Sequence, residues 1–531
     1  MGENRASWKL PVSALPEYLQ ALLRPDAYPH PVDSMELIET HVSWVLLTGE
    51  FAYKIKRPVH YGFIDLRSPE RRAFLCQEEL RLNRRFAPDL YLDVRPICVF
   101  DGAANLTGRG QVVEQAVRMR QFTRADELDR LLEGDRIVPA ELAVFGVELA
   151  RLHAGLPVTG ADQNPGWASA VRARVLDNAA ECARAEQPGG GPPGWLSDLE
   201  RRLLEELNRA QALLGRRLLA GRVRECHGDL HARNIVRLGG HLRAFDCLEF
   251  DPALRWLDVA DEIAFLLADL DARGRPQHAQ AFLGGYLEAS GDHEACTLLP
   301  LFKVHRALVR AKVAALAGNP QESAAYLECV RRCLTAPLPV LVLMCGLSGA
   351  GKSWLAQGLA APLSAVLLRS DVERRRLAAS GTLAAGDPGI ATGHYAPEVT
   401  AQVYRHLLKC ARECLSGGFT TIVDATFRQR ADRLAFRDLA TSLGVNSCVV
   451  HCRAPREVLE ARIRERRRRN DDPSEADLSV LAWQEAHFET PQAGEAGAVL
   501  SADTADSASV ETLLQEIGAL PRPQVSDPDH C

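Results

Sequence analysis

Two clusters of residues in this 531-residue chain have the types and spacing that phosphate chemistry needs. The more compact is the run Gly346, Leu347, Ser348, Gly349, Ala350, Gly351, Lys352 and Ser353. It follows the apolar stretch Val340 to Cys345 and precedes a helical pattern at Trp354 to Leu359. A glycine-rich turn between a buried strand and a helix lets backbone amides wrap phosphate oxygens at the helix N-terminus. Lys352 would neutralise the β and γ phosphates of ATP, and the Ser353 hydroxyl would ligate Mg2+.

Three further groups belong with this P-loop. A second apolar strand, Thr420 to Val423, ends in Asp424, where a carboxylate beside a P-loop holds Mg2+ through water; capping a helix is the alternative. In LLRSDVERRR a short strand ends at Asp371. That carboxylate either takes the proton of an acceptor hydroxyl, with Arg374 one turn later clamping phosphate, or caps the helix. Arg462 and Arg466 share one face of the basic stretch Arg462 to Arg469. They would close over the triphosphate as a lid; a solvated helical face and a nucleic-acid clamp are the other readings.

The second cluster lies around Cys226, in CHGDLHARNIVRLGGHLRAFDCLEFD. Asp229 and Asn234 stand five apart in a loop that leads into a short hairpin, whose second strand ends at Asp246. Phosphoryl transfer to a hydroxyl needs a carboxylate near the nucleophile and oxygen ligands for Mg2+, which makes Asp229 the base and Asn234 and Asp246 the metal ligands. Upstream, FAYK puts Ala52 and Lys54 on one face of a strand. Alanine there lies against adenine and lysine reaches the phosphates, with Lys56 on the same face as runner-up. Helical Glu78, or its neighbour Glu79, would hold that lysine in position. Gln115 to Met119 would be the hinge that carries backbone bonds to adenine.

Around Cys226 the HGD, DCLE and upstream ELARLHAGL segments resemble the aminoglycoside-phosphotransferase-like branch of the protein-kinase fold, over about Met35 to Cys333. That resemblance implies that Asp258, in WLDVADEIAFLLADL, braces the catalytic loop. It also exposes a departure: no GxGxxG precedes Lys54, and the turn at Thr40-His41-Val42 has no glycine. GLSGAGKS, RSDVERRR, VDATF and the basic stretch before DDPSEAD resemble the small gluconate-kinase-like and polynucleotide-kinase-like P-loop kinases, often labelled AAA-type, over about Leu338 to Leu520. The order of the two halves resembles bifunctional aminoglycoside phosphotransferase/ATP-binding proteins.

The elements that must position these groups are legible in outline. Ser43 to Leu47 and Phe51 to Lys56 read as a hairpin across a Thr48-Gly49-Glu50 turn. Arg71 to Arg85 reads as a helix with Leu75, Leu80 and Leu82 as its apolar contacts, and the chain turns mainly helical from Glu141. Gln187 to Gly194 is a loop by its glycine and proline content, and Thr335 to Pro339 separates the halves. The expected fold is an α+β bilobal protein-kinase-like domain over 1–335, then an α/β P-loop NTPase domain with a mainly parallel sheet over 338–520, and a disordered tail over 521–531.

Composition sets the outer bounds. At 47% hydrophobic and 25% charged, the chain has the balance of a soluble globular protein, too long for one core. A net charge of −6 argues against a dedicated nucleic-acid partner. No apolar run spans a bilayer and the N-terminus lacks a secretory core, so a cytoplasmic location without membrane contact is expected. The 14 cysteines, some four apart as in Cys329/Cys333, Cys410/Cys414 and Cys448/Cys452, read as reduced and buried, with zinc as the alternative.

The expectation is therefore a tandem ATP- and Mg2+-dependent phosphotransferase acting on hydroxyls of small molecules. Two other readings stand beside it. One is a nucleotide-controlled regulator whose kinase-like domain binds a ligand without chemistry, and the other is a nucleic-acid end kinase. Neither acceptor, nor the coupling of the sites, nor the oligomeric state is encoded in any pattern visible in the sequence.

Overall fold

The computed structural model describes residues 15–61, 64–185, 194–382, 397–469, 477–495, 497–504 and 509–520. The glycine/proline loop up to residue 193, most of the DDPSEAD stretch and the tail at 521–531 lie outside the described residues. The chain gathers into two compact units. One comprises Met1–Glu141, Leu152–Asp269 and Val309–Ala324; the other comprises Leu142–Arg151, Leu270–Leu308 and Ala325–Cys531. Neither unit is one contiguous stretch, so the break near 335–338 marks the entry to the P-loop sheet and not a single cut between units.

The first unit is built on a six-stranded antiparallel sheet in the order Glu36–Glu39, Ser43–Leu47, Phe51–Lys56, Gln111–Arg120, Tyr91–Phe100, Ala103–Asn105. Alternation along Phe51–Lys56 decides what each face does. Tyr53 and Ile55 enter an apolar cluster with Trp44, Leu46 and Ile97. Ala52 packs on the opposite face with Val117, Met119 and Phe245, and Lys54 and Lys56 share that face.

The helix Pro69–Phe86 starts with Ser68 accepting a hydrogen bond from the Arg71 amide and with proline in its first turn, both favoured helix starts. Its buried stripe is Leu75, Cys76, Glu79, Leu82, Asn83 and Phe86. A glutamate in that stripe is the exception that matters, because a buried charge is tolerated only with partners. Farther on, Ile235–Leu238 and His241–Ala244 form the expected hairpin, and the helix Val259–Ala272 follows.

The second unit holds a five-stranded, wholly parallel sheet in the order Val366–Arg369, Thr421–Asp424, Val340–Cys345, Asn446–Arg453, Ala498–Asp503. Its strands are near-continuous apolar runs because helices cover a parallel sheet on both faces. Register aligns Arg369, Asp424 and Met344 across three neighbouring strands, which brings their carboxyl ends to one edge, where open α/β sheets bind ligands. No helix among the described residues is long and apolar enough to cross a membrane. The cysteines described are free and, apart from the half-buried Cys333, buried.

Candidate functional site

In the second unit the chain leaves Val340–Cys345 at Gly346 and enters the helix Lys352–Ala360. Gly346 has φ +145°, and a Cβ there would meet the Cys452 carbonyl at 2.5 Å. Gly351 has φ +75° and leaves no room for a side chain beside Thr504. Both positions therefore need glycine. The loop is held from outside by the Gly346 amide donating to the Thr426 carbonyl (3.2 Å) and the Ser348 amide donating to Gln484 Oε1 (2.8 Å).

Lys352 folds over its own loop, Nζ donating to the Leu347 carbonyl at 2.9 Å. The Ser353 hydroxyl donates to Asp424 Oδ2 at 2.6 Å. Burial raises the Asp424 carboxyl above its ordinary value, against the pull of Lys352 and of the Ser353 hydrogen bond.

These groups line a cavity of about 270 Å3 that also contains Asp371, Arg374, Arg462 and Arg466. Asp371 is not the helix cap: it lies inside the first turn of Ser370–Ala379 and pairs with Arg374 at 3.0 Å. Nor does Asp424 cap a helix, since its oxygen is taken by Ser353. Arg462 is anchored behind the P-loop, donating to the Gly349 carbonyl (3.3 Å) and to Thr504 (2.8 and 2.9 Å). Farther along the same helix, Arg464 pairs with half-buried Glu460 and Arg468 with Glu465, away from the cavity.

The sequence reading missed Arg369, Arg428, Trp483 and Gln484, which also line the cavity. Arg428 lies 4.4 Å over the Trp483 ring. The position of Arg428 shortly after VDATF was a usable signal; Trp483 and Gln484 lie some sixty residues farther on and gave none. Six cationic side chains (Lys352, Arg369, Arg374, Arg428, Arg462, Arg466) against Asp371 and Asp424 suit a polyanion. The hydroxyl and carboxylate oxygens of Ser353 and Asp424 are hard donors that fit Mg2+.

In the first unit, Lys54 Nζ donates to Glu79 Oε1 at 2.7 Å and pairs with Asp246. Lys56 Nζ lies 2.5 Å from the other Glu79 oxygen and pairs with Glu249. The carboxylate that positions the lysines is therefore Glu79. Glu78, the first choice from sequence, faces the other side of the helix and pairs with Arg81 at 2.8 Å and Arg255 at 3.4 Å. One residue turns a helical side chain by about 100°, which is why neighbours part company here. Burial pulls the Lys54 ammonium down, but Asp246 and Glu79 outweigh it and hold it well above its ordinary value. Burial likewise raises Glu79, and the two lysines bring it below the usual carboxylate range.

The loop after Cys226 is fixed by carboxylates on the helix Val259–Ala272. Glu262 accepts from the amides of His227 (2.8 Å) and Gly228 (3.0 Å), and Asp269 accepts from Ala232 (2.7 Å). Asp258, to which the resemblance assigns the bracing of this loop, has a buried cationic partner. It is buried against Arg217, with two contacts of 2.7 Å, because it precedes the helix and points back to the Gly194–Leu219 helix.

Within the loop, Asn234 Nδ2 donates to Asp229 Oδ2 at 2.9 Å, and His231 Nε2 lies 3.3 Å from the same oxygen. Burial raises the Asp229 carboxyl, but His231, Arg310 and His227 overcome that and hold it well below the usual carboxylate range. His227 donates through Nε2 to the Phe245 carbonyl (2.8 Å) and accepts the Asp229 amide on Nδ1 (3.3 Å), the neutral tautomer. Burial lowers its pKa to about 4. The Asn234 carbonyl accepts from the Phe245 amide at 2.9 Å, one residue before Asp246. Asp246 itself has φ +65°, a strained conformation for a residue with a side chain. Asn234 and Asp246 again offer only hard oxygens toward a magnesium ion.

One expectation for the adenine end needs correction. Met119 is not in a hinge: it pairs in register with Ala52 on one side and Tyr91 on the other, and the strand runs to Arg120. Its backbone bonds belong to the sheet and its side chain to the apolar cluster with Ala52 and Phe245. The turn before Lys54 is a closed one, with the Thr40 amide donating to the Ser43 carbonyl (2.8 Å) and Arg57 to the Thr40 carbonyl (2.5 Å).

Among solved structures, APS kinase CysC of Mycobacterium tuberculosis is 21% identical, covering 35% of this chain and 98% of its own, with a TM-score of 0.26. A choline/ethanolamine kinase family protein from Mesorhizobium loti is 14% identical, covering 57% and 87%, with a TM-score of 0.34. At those scores nothing below depends on either. The AAA domain family model matches residues 341–491, the segment that carries the P-loop, Asp371, Asp424, Arg462 and Arg466. Along most of its length the chain is similar to the uncharacterized protein Rv2004c of Mycobacterium tuberculosis and to Mb2027c of Mycobacterium bovis. Each is 31% identical over 473 residues, 87% of this chain and 93% of the relative. With both units spanned by that match, the chain belongs to the family of these mycobacterial proteins.

Proposed function

We propose that this protein is a tandem phosphotransferase in which each unit moves the γ-phosphoryl group of ATP to a hydroxyl of a small-molecule acceptor. The observation that carries the reading is the Ser353–Asp424 hydrogen bond beside Lys352, at the floor of a cavity with six cationic side chains. That combination of a P-loop, hard oxygen donors and surplus positive charge is what a triphosphate tail requires. Functional division into a domain over 1–335 and one over 338–520 is part of the same proposal.

In the C-terminal site, the P-loop amides and Lys352 bind the phosphates, and Arg462 and Arg466 face them. Asp371 receives the acceptor's proton, and Arg374 orients its carboxylate. In the N-terminal site, Lys54 is aimed by Glu79 and orients phosphate, and Asp229 accepts a hydrogen bond from the attacking hydroxyl. Ser353 and Asp424 in one site, and Asn234 and Asp246 in the other, would hold Mg2+. When bound, that ion supplies charge neutralisation at the phosphate oxygens.

The closed Thr40–Ser43 turn favours one other reading for the first unit, ligand binding without chemistry. Untargeted mass spectrometry of phosphorylated products, run on the full chain with Lys352→Ala or Asp229→Asn, separates the two. The proposal expects a distinct product to vanish with each variant. Loss of product only with Lys352→Ala would make the first unit a ligand-binding module, and no product from either unit would end the tandem reading.

A further inference from the structure

Glu373 sits two residues beyond Asp371 on the helix Ser370–Ala379, but it turns away from the phosphate cavity and is buried. There it meets the helix Pro397–Ser416, which presents His406 and Cys410 one turn apart on a single face. A third segment reaches the same spot. Gly291, at φ +64°, passes so close to Arg376 that a Cβ would lie 2.6 Å from Nε, and His293 follows two residues later.

One ligand atom each from His293, Glu373 and Cys410 lie within 4.8 Å of one another, and all three residues are buried. His406 Nε2 touches two of them, at 2.9 Å from Glu373 Oε2 and 3.5 Å from Cys410 Sγ. Arg376 holds the other Glu373 oxygen, which fixes the carboxylate as an outer-shell partner would. An independent sign of a missing partner is His293 Nδ1, a buried ring nitrogen with no hydrogen-bond partner among the described residues. His293 is 2% exposed, and buried polar atoms of native proteins are rarely left so.

We infer that His293, Glu373, His406 and Cys410 form a binding site for one divalent transition-metal ion, with Zn2+ the best chemical fit. Two imidazoles, a carboxylate and a thiol make the mixed nitrogen, oxygen and sulfur set that zinc accepts and that Mg2+ or Ca2+ does not. Ligands about 2.0–2.3 Å from a tetrahedral zinc are about 3.5 Å apart, so binding would draw His293, Glu373 and Cys410 together, with His406 already at that range from two of them. Binding takes the proton from the Cys410 thiol and releases it to solvent. The ion would tie the helix that carries Asp371 and Arg374 to the helix that carries Thr400 and Tyr404, all four of which line the phosphate cavity. The site is thus a positioning one, and its existence does not depend on phosphoryl transfer.

The test uses the reduced, chelator-treated full chain titrated with Co2+. The expected result is one equivalent bound with a near-ultraviolet thiolate-to-cobalt band and strong visible bands of a four-coordinate centre, all displaced by Zn2+. Cys410→Ser should abolish the ultraviolet band, and His293→Gln and His406→Gln should each weaken binding about 10–100-fold, whereas Cys448→Ser should change nothing. Should Cys410→Ser fail to fold by circular dichroism, the half-buried His406→Gln still decides. Absence of a one-equivalent band in the unaltered chain overturns the inference, and so does a band that survives Cys410→Ser or an affinity untouched by His406→Gln.

Discussion

The two candidate sites solve the same electrostatic problem in different ways. In the C-terminal unit, one contiguous stretch of eight residues builds the phosphate loop itself, and two of its glycines are demanded by close contacts at Cys452 and Thr504. In the N-terminal unit no such stretch exists. Lys54 and Lys56 are placed by Glu79 on one helix and by Asp246 and Glu249 in a segment more than 160 residues later. Backbone amides tolerate changes in neighbouring side chains, whereas a buried ion network loses its balance when one member goes. The difference teaches where each site is vulnerable.

The sharpest way to test that contrast is Asp229→Asn. It keeps the shape and the Asn234 contact but removes the carboxylate, and should slow transfer by the N-terminal site about 10^2–10^4-fold with unchanged thermal unfolding. Retained turnover would take Asp229 out of the reaction. Next comes Glu79→Gln, which leaves each buried ammonium one carboxylate instead of two and should destabilise the first unit by about 1.5–3 kcal/mol in denaturant titration. Its neighbour Glu78→Gln, by contrast, should lose about 1 kcal/mol. Equal effects at 78 and 79 would dissolve the network argument.

For the backbone-built site, Lys352→Ala should weaken ATP binding to the second unit by about 10^2–10^3-fold without lowering its stability. Calorimetry on the full chain, set beside the unaltered protein, reads that change as the loss of one of two ATP-binding events. The last effect is pH-dependent. The buried neutral His227 has a pKa near 4 in the fold against 6.5 for a free imidazole, so the unfolded chain takes up the extra proton between those values. Stability from this residue is fully present above about pH 6.5 and is lost as pH falls toward 4, by up to about 3 kcal/mol. Acid titration of the first unit's unfolding that shows no slope in that window would mean His227 is charged in the fold.

Much of both sites was readable before any coordinates, and the failures share a cause. Motifs whose parts are near in sequence, such as Gly346–Ser353 or Asp229 with Asn234, are close in space because the chain between them is short. Glu78 against Glu79 failed because both suit an exposed helical face, and only packing against the Phe51–Lys56 strand picks the one that turns inward. Glu262 was missed for a similar reason. A strand of three residues, Trp256–Asp258, precedes the helix and turns Asp258 toward Arg217, leaving Glu262 to meet the loop amides. Met119 was misplaced because its strand continues to Arg120, a length set by pairing with two neighbours and not by local preference.

By itself the sequence determined which chemistry is present: a phosphate loop, two sets of hard oxygen donors, and an apolar alternation that puts Ala52 and Lys54 on one side of a strand. Those are local properties, written in residue type and spacing over a few positions. The tertiary structure alone decided which of two adjacent carboxylates meets a lysine, and that Gln484 supports a loop more than a hundred residues earlier. It also decided that residues 293, 373, 406 and 410 converge. Such choices depend on which helix face is buried and on how strands align. Both are set by burying apolar surface across the whole unit, a sum that no short stretch of sequence contains.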